Sequence, residues 1–237
     1  MKIVKWIIFK VEWILNSFRQ IDFKTYHKTY LVPTKWNILG MLTSICGENE
    51  KFYYDLVNEK IDVQIKILNI WWFTKDLWHI KDLKHKEWSI IRRERIYNPI
   101  YEIEIIIEDE NLLRKFFEWL KNPKRIPSLG LDDEIVKIFD VKIKDFVLKK
   151  VDEIDKIVFM EEVKNFKFVP FEGYFFQAPK LNRINKSWVV KWNTKWLFNA
   201  SKRDIRKPIW SLYFIDFLGG KLIFKNWIEV WDDKEKV

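Results

Sequence analysis

The sequence predicts an α+β fold from three observations: runs that alternate apolar and polar residues, segments with apolar residues at helical spacing, and the order in which the two kinds occur. That order is strand, helix, strand, strand, helix, strand. At 237 residues the chain has room for one large domain or two small ones, and it buries a sizeable core without disulfides or metals.

The first strand is expected where Ile3, Ile7, Phe9, Val11, Trp13 and Leu15 share one face. Residues 16–32 mix Arg19, Lys24, His27 and Lys28 with Phe18, Phe23, Tyr26 and Tyr30 without a sustained period, and read as an extended basic loop. Pro33 and Thr34 open a helix along which Ile38, Leu39, Leu42 and Ile45 recur, with Gly47 as its stop. Gly40 inside this helix costs roughly 1 kcal/mol relative to alanine. Close approach of another backbone, or of a phosphate chain, is the expected reason for it. A second short helix is expected over 51–58.

Ile61, Val63, Ile65 and Ile67 alternate with Asp62, Gln64 and Lys66, and Tyr101, Ile103, Ile105 and Ile107 alternate with Glu102 and Glu104. These are two more strands. Between them, residues 74–98 carry Lys75, Lys81, Lys84, Lys86, Arg92, Arg93 and Arg95 against Asp76, Asp82, Glu87 and Glu94, with Trp78 and Trp88 interleaved. A projecting basic insertion fits that mixture better than a core element. Asp109 caps a helix striped with Leu112, Leu113, Phe116, Phe117 and Leu120, which Asn122 and Pro123 end. A fourth strand follows over 135–143.

This is the element order of a ferredoxin-like (RRM-like) unit, expected over 1–149 with the insertion at about 74–98. Residues 150–237 read as a smaller β-rich region with turn signals at Pro170, Pro179, Pro208 and Gly219-Gly220. Gly219-Gly220-Lys221 reads as a hairpin turn rather than a phosphate loop. Lys180, Arg183, Lys186, Lys191, Lys195, Lys202, Arg203, Arg206 and Lys207 stand against Asp204 alone, and nearly account for the excess charge. Trp188, Trp192 and Trp196 within that stretch fit either a helix face or an irregular aromatic cluster.

The formal charge of +9 favours polyanionic partners. Aromatic residues make up 17% of the chain; most fill core, and those beside Lys and Arg can stack on bases. A lone cysteine, Cys46, excludes an internal disulfide framework and suits a reducing cytosol. The apolar N-terminal run is interrupted by Lys5, Lys10 and Glu12 and is too short to span a bilayer, so neither a membrane nor a secreted location is expected.

The sequence has no P-loop, GxGxxG, HExxH or paired cysteines, and His27, His79 and His85 lack metal-ligand spacing. No cofactor, metal or catalytic residue is therefore expected. If the chain cuts RNA, Tyr26-His27-Lys28 is the candidate acid-base cluster, but neighbours on an extended segment point to opposite faces.

Three stretches resemble the CRISPR-associated family numbered five, Cas five. They are Phe18-Arg19 followed by Tyr30-Leu31-Val32-Pro33-Thr34-Lys35-Trp36-Asn37-Ile38-Leu39-Gly40-Met41-Leu42 and Gly47; Arg93-Glu94 through Asn98-Pro99-Ile100-Tyr101; and Pro127-Ser128-Leu129-Gly130-Leu131-Asp132-Asp133. Their order spans roughly the first 145 residues. The family's glycine-rich loops near RNA are sparse here.

The resemblance implies a palm with an inserted thumb, and a non-catalytic subunit that caps the 5′ handle of the guide RNA (crRNA) in a type I surveillance complex, Cascade. Its neighbours would be the backbone and large subunits, with target DNA met only through the complex. On that reading Arg19, Lys28 and Lys35 meet phosphates, Tyr26, His27 or Trp36 stacks on a splayed base, and Arg92, Arg93 and Arg95 hold phosphate or a partner's carboxylates. The alternative is a metal-independent endoribonuclease that processes repeat RNA, since fold alone does not separate the two. A DNA-binding or membrane-surface protein explains the charge but not the ordered motifs.

Overall fold

The computed structural model describes residues 3–20, 26–58, 61–81, 88–154, 166–169, 173–179, 210–216 and 221–233. The chain opens with β1 (Ile3–Glu12), the short β2 (Leu15–Asn16) and β3 (Tyr26–His27), then α1 (Lys35–Ile45) and α2 (Glu50–Asn58). It continues through β4 (Ile61–Asn69), β5 (Trp72–Lys81), β6 (Trp88–Tyr97), β7 (Ile100–Ile107), α3 (Glu110–Lys121) and β8 (Lys137–Ile154). The described remainder is all strand: β9 (Phe166–Val169), β10 (Gly173–Pro179), β11 (Trp210–Asp216) and β12 (Lys221–Asp233).

The main sheet runs β4-β7-β1-β8-β12-β9, with antiparallel neighbours throughout. Its first four strands, β4, β7, β1 and β8, are the second, third, first and fourth strands of a ferredoxin-like βαββαβ unit, so the fold class is the expected one. The periodicity explains the layering. Ile7, Phe9 and Val11 of β1 and Ile103, Ile105 and Ile107 of β7 bury one face against Ile38, Leu39 and Leu42 of α1 and Leu113, Phe116 and Leu120 of α3. On the other face Trp6 stacks on Phe146 with centroids 4.0 Å apart, beside Ile106.

Both helix starts follow the expected caps. Thr34 and Asn37 form a capping box, and the Asp109 carboxylate accepts from the Asn111 and Leu112 amides. Gly47, at φ 71, lets its own amide donate to Ser44 O and that of Glu48 to Thr43 O, closing the last turn of α1. Gly40 departs from expectation: a Cβ there meets nothing within 4 Å. No close backbone approach accounts for it.

The expected strand over 135–143 is instead β8, which continues to Ile154 and carries Asp140 at φ 54 in a bulge opposite Ile8 to Lys10. It pairs with β1 as far as Val147 and with β12 from Phe146 onward. The boundary expected at 149/150 therefore falls inside a strand, and β12 and β9 extend the same sheet. β11 pairs with β10 while β12 pairs with β8 and β9, so the strands flanking Gly219-Gly220 do not form the expected hairpin with one another. The basic stretch 180–207 lies outside the described residues.

The insertion is a β-hairpin rather than an irregular segment. β5 pairs with the whole of β6, from Trp72 with Tyr97 to Lys81 with Trp88. It prolongs the β4–β7 pair past a break at Asn98, φ 50, and Pro99, where the Asn69 side chain donates to Asn98 O at 3.0 Å. Ile96 joins the main core, whereas Trp72, Leu77, Trp88 and Ile90 are exposed. The foot of the insertion is therefore partly core, through Ile96 and the buried Arg93, and partly open to solvent.

Candidate nucleic-acid interface

The foot of the hairpin gathers most of the residues singled out from the sequence. Because β5 occupies one edge of β6, β2 and β3 share the other: Leu15 and Asn16 pair with Tyr97 and Ile96, and β3 runs parallel with Tyr26 beside Arg92 and His27 beside Arg93. Alternation along β6 then puts Arg93 and Arg95 on one face and Arg92 and Glu94 on the other.

Residues 18–20, after β2, and 28–30, after β3, form a short antiparallel ladder. The Tyr30 amide donates to Phe18 O at 2.7 Å, the Gln20 amide donates to Lys28 O at 2.8 Å, and the Phe18 amide donates to Thr29 Oγ1 at 2.7 Å. Phe18 meets the Tyr101 ring edge-on, and the Tyr101 hydroxyl donates to Leu31 O at 2.8 Å. Residues 16–20 and 28–32 are thus a built support rather than an exposed loop: Ser17, Phe18, Thr29, Tyr30 and Val32 are all buried.

The loop Pro127-Ser128-Leu129-Gly130-Leu131-Asp132-Asp133 docks on this support. Glu134, fully buried, accepts from the Ser17 amide at 2.8 Å, the Ser17 hydroxyl at 2.6 Å and the Leu131 amide at 3.0 Å. Burial pushes its carboxyl above the usual range, against those hydrogen bonds and the nearby Arg95. Gly130 sits at φ 113, and a Cβ would stand 2.1 Å from Glu134 Oε2 and 2.6 Å from Ser17 O. Only glycine fits there.

Arg93 and Arg95 close the assembly. Arg93 donates to Asp76 twice, from Nε at 3.0 Å and Nη2 at 2.8 Å, and its guanidinium lies 5.2 Å from the Trp78 ring centroid. That fork holds the Asp76 carboxyl below the usual range. Arg95 donates to Leu15 O at 3.1 Å and lies 3.4 Å from both Asp76 and Glu134. Parts of all three stretches that resemble a family in sequence, Phe18 with Tyr30, Arg93 and the Gly130 loop, therefore meet at one place, whereas Lys35 to Ile45 of the first stretch forms α1.

Arg93 and Arg95 do not stand as the surface contacts expected of them. Their side chains are only 6% and 12% exposed, because Asp76 and Glu134 draw both guanidiniums inward. His27 is buried as well, 3% exposed, so its ring has no face open for stacking. Burial and the positive charges of Arg19 and Arg93 lower its pKa to about 4, leaving it neutral at pH 7. Neither ring nitrogen has a hydrogen-bond partner within the protein.

Arg19, Lys28 and Arg92 are exposed around this foot, and Tyr26 is half-buried, its hydroxyl 3.4 Å from Glu94 Oε1. Lys35 and Trp36 belong to a different element: they open α1, beyond the buried link Tyr30 to Val32. Sequence reasoning missed Asp76, Trp78 and Glu134 as parts of the site. Gly130 is the one signal in the sequence that a close approach occurs there. Among the described residues no group of three His, Cys, Asp or Glu side chains is placed to hold a metal, and no helix is long and apolar enough to cross a membrane.

No protein-family model matches the chain, and no curated protein does. Solved structures do match. The crystal structure of a CRISPR protein from Archaeoglobus fulgidus is similar over 96% of this chain and 95% of that one, with 13% identity and a TM-score of 0.59. A chain described as a CRISPR RNA-guided surveillance complex matches 56% of this chain with 12% identity and a TM-score of 0.46. This chain spans 60% of that chain's length. A chain of the type III-B Cmr-beta complex bound to cognate target RNA matches over 92% of this chain, with 11% identity and a TM-score of 0.39. The first of these likenesses shows that the fold is one found in a CRISPR protein.

Proposed function

We propose that the chain is a non-catalytic, RNA-binding subunit of a CRISPR surveillance complex of the Cas five kind, capping the 5′ handle of the guide RNA beside the backbone and large subunits. The observation that carries this reading is the convergence at the hairpin foot: Phe18 bonds Thr29, Thr29 bonds Glu94, and Arg93 lies 3.9 Å from Asp133 of the Gly130 loop, so segments separate in sequence build one structure there. Fold similarity to the Archaeoglobus fulgidus CRISPR protein along nearly the whole chain supports it. The exposed cations Arg19, Lys28 and Arg92 supply phosphate contacts, and the hairpin, with Trp88, Leu77 and Ile90 exposed, is the thumb that reaches the guide and a neighbouring subunit.

Binding is favoured over cutting by the register of β3. Tyr26 lies beside Arg92 on one face of the strand and His27 beside Arg93 on the other, so a general acid and a general base do not converge from this pair.

The test is binding of repeat-derived single-stranded RNA across a salt series without metal. Each phosphate neutralised adds about 0.7 to the negative slope of log affinity against log salt, and Arg92→Ala and Lys28→Ala should each remove about that much. A slope near zero overturns the reading. Metal-independent cutting abolished by Tyr26→Phe or His27→Ala would replace it with the endoribonuclease.

A further inference from the structure

We infer that His27, Trp78 and Arg93 form a recognition site for one nucleobase of single-stranded RNA, with Trp78 covering the imidazole until the base displaces it. This rests on the RNA-binding reading above and deepens it.

The starting point is a set of buried nitrogens that make no hydrogen bond within the protein. Both ring nitrogens of His27 lack a hydrogen bond, and so does Nη1 of Arg93. Native chains pair nearly all such groups, so each exception calls for a partner from outside the protein, whether an ordered water or a ligand. The register puts His27 beside Arg93, and Trp78 of the neighbouring strand lies 6.1 Å from the imidazole and 5.2 Å from the guanidinium. Trp78 is half-buried, so it closes the cluster yet has solvent into which to turn.

The chemistry of the cluster selects a base over a phosphate. A phosphate needs an excess of positive charge, but Asp76 already holds both Nε and Nη2 of Arg93, and Asp133 lies 3.9 Å from Nη1. The imidazole is neutral at pH 7 and so offers one donor and one acceptor. One donor, one acceptor, a further guanidinium donor and a flat indole match the edge and face of a nucleobase. Arg19, exposed on the adjoining segment, is close enough to depress the imidazole pKa, and would offer a cation to the phosphate of the same nucleotide.

The experiment measures affinity of the full chain for short single-stranded homopolymers of A, C, G and U at fixed salt, for wild type, His27→Phe and Trp78→Leu. Wild type should prefer one base by at least about fivefold. His27→Phe should lose that preference while keeping the salt slope and an unchanged or higher melting temperature, since it removes two unpaired polar atoms. Should His27→Phe fail to fold, loss of preference in Trp78→Leu decides in its place. Equal affinity of wild type for all four homopolymers overturns the inference while leaving RNA binding intact, whereas no RNA binding at all overturns both. A preference that survives in both variants also overturns it. An ordered water alone at the imidazole, seen as lower stability in His27→Phe with the preference unchanged, does the same.

Discussion

Around Ile7, Phe9, Leu39 and Phe116 the interior is aliphatic and aromatic, and a buried polar side chain there serves the backbone, as Thr43 does by donating to Leu39 O at 2.8 Å. Around Arg93, Arg95, Asp76 and Glu134 the site is charged, and Arg93 Nη1 and Arg95 Nε make no hydrogen bond within the protein. The helix-covered face is closed by apolar area, which is indifferent to small shifts. The hairpin foot is closed by hydrogen bonds and ion pairs between particular atoms, so removing one partner strands the others in the interior. The contrast teaches that one region holds the fold and the other holds an arrangement.

The largest expected effects probe that contrast directly. Glu134→Ala leaves the Ser17 and Leu131 amides and the Arg95 guanidinium without their shared acceptor, and should cost roughly 3–5 kcal/mol in denaturant unfolding. Leu39→Ala should cost a similar 2–5 kcal/mol or so by leaving a cavity. The two should differ in kind: Leu39→Ala lowers stability and leaves RNA binding per folded molecule unchanged, whereas Glu134→Ala loses both. Equal retention of binding would break the comparison.

A middle-sized effect comes from pH. Because the folded chain holds His27 at about 4 against an ordinary 6.5, the unfolded chain takes up that proton first as the solution is acidified. The stabilising difference is fully present above pH 6.5 and is lost as pH falls through about 4, with a ceiling of roughly 3 kcal/mol. Thermal melts across that window should show a drop in wild type that His27→Phe lacks; parallel curves would mean that the imidazole is not held neutral.

The smallest effect lies on the helix-covered side. Gly40→Ala meets nothing within 4 Å, so it should stabilise α1 by about 1 kcal/mol, read as a raised melting temperature. A loss would show that something approaches that turn of the helix.

Much of the helix-covered unit was legible in the sequence, since β1, β4, β7, α1 and α3 each bury one face and write that face as a period. Thr34 and Asp109 announce their caps for the same local reason. The hairpin was not legible as strands, because its foot is buried by ion pairs and its outer part is wet on both sides, so neither stretch alternates. Nor can a sequence distinguish a surface arginine from Arg93, whose partner Asp76 stands 17 positions away on another strand. Arg19, Lys28 and Arg92 kept their expected exposure, whereas His27, Arg93 and Arg95 acquired interior partners or neighbours that no spacing rule foretells.

The length of β8 has a consequence for how the chain tolerates being shortened. Its two edges are occupied in relay, by β1 up to Val147 and by β12 from Phe146 to Ile154. A chain ending at residue 149 would keep every element of the ferredoxin-like unit, yet it would bare one edge of the sheet from Phe146 onward. An open row of amides and carbonyls next to the Trp6–Phe146 stack is a template for another copy. Self-association, rather than unfolding, is the failure to expect when the last strands are removed.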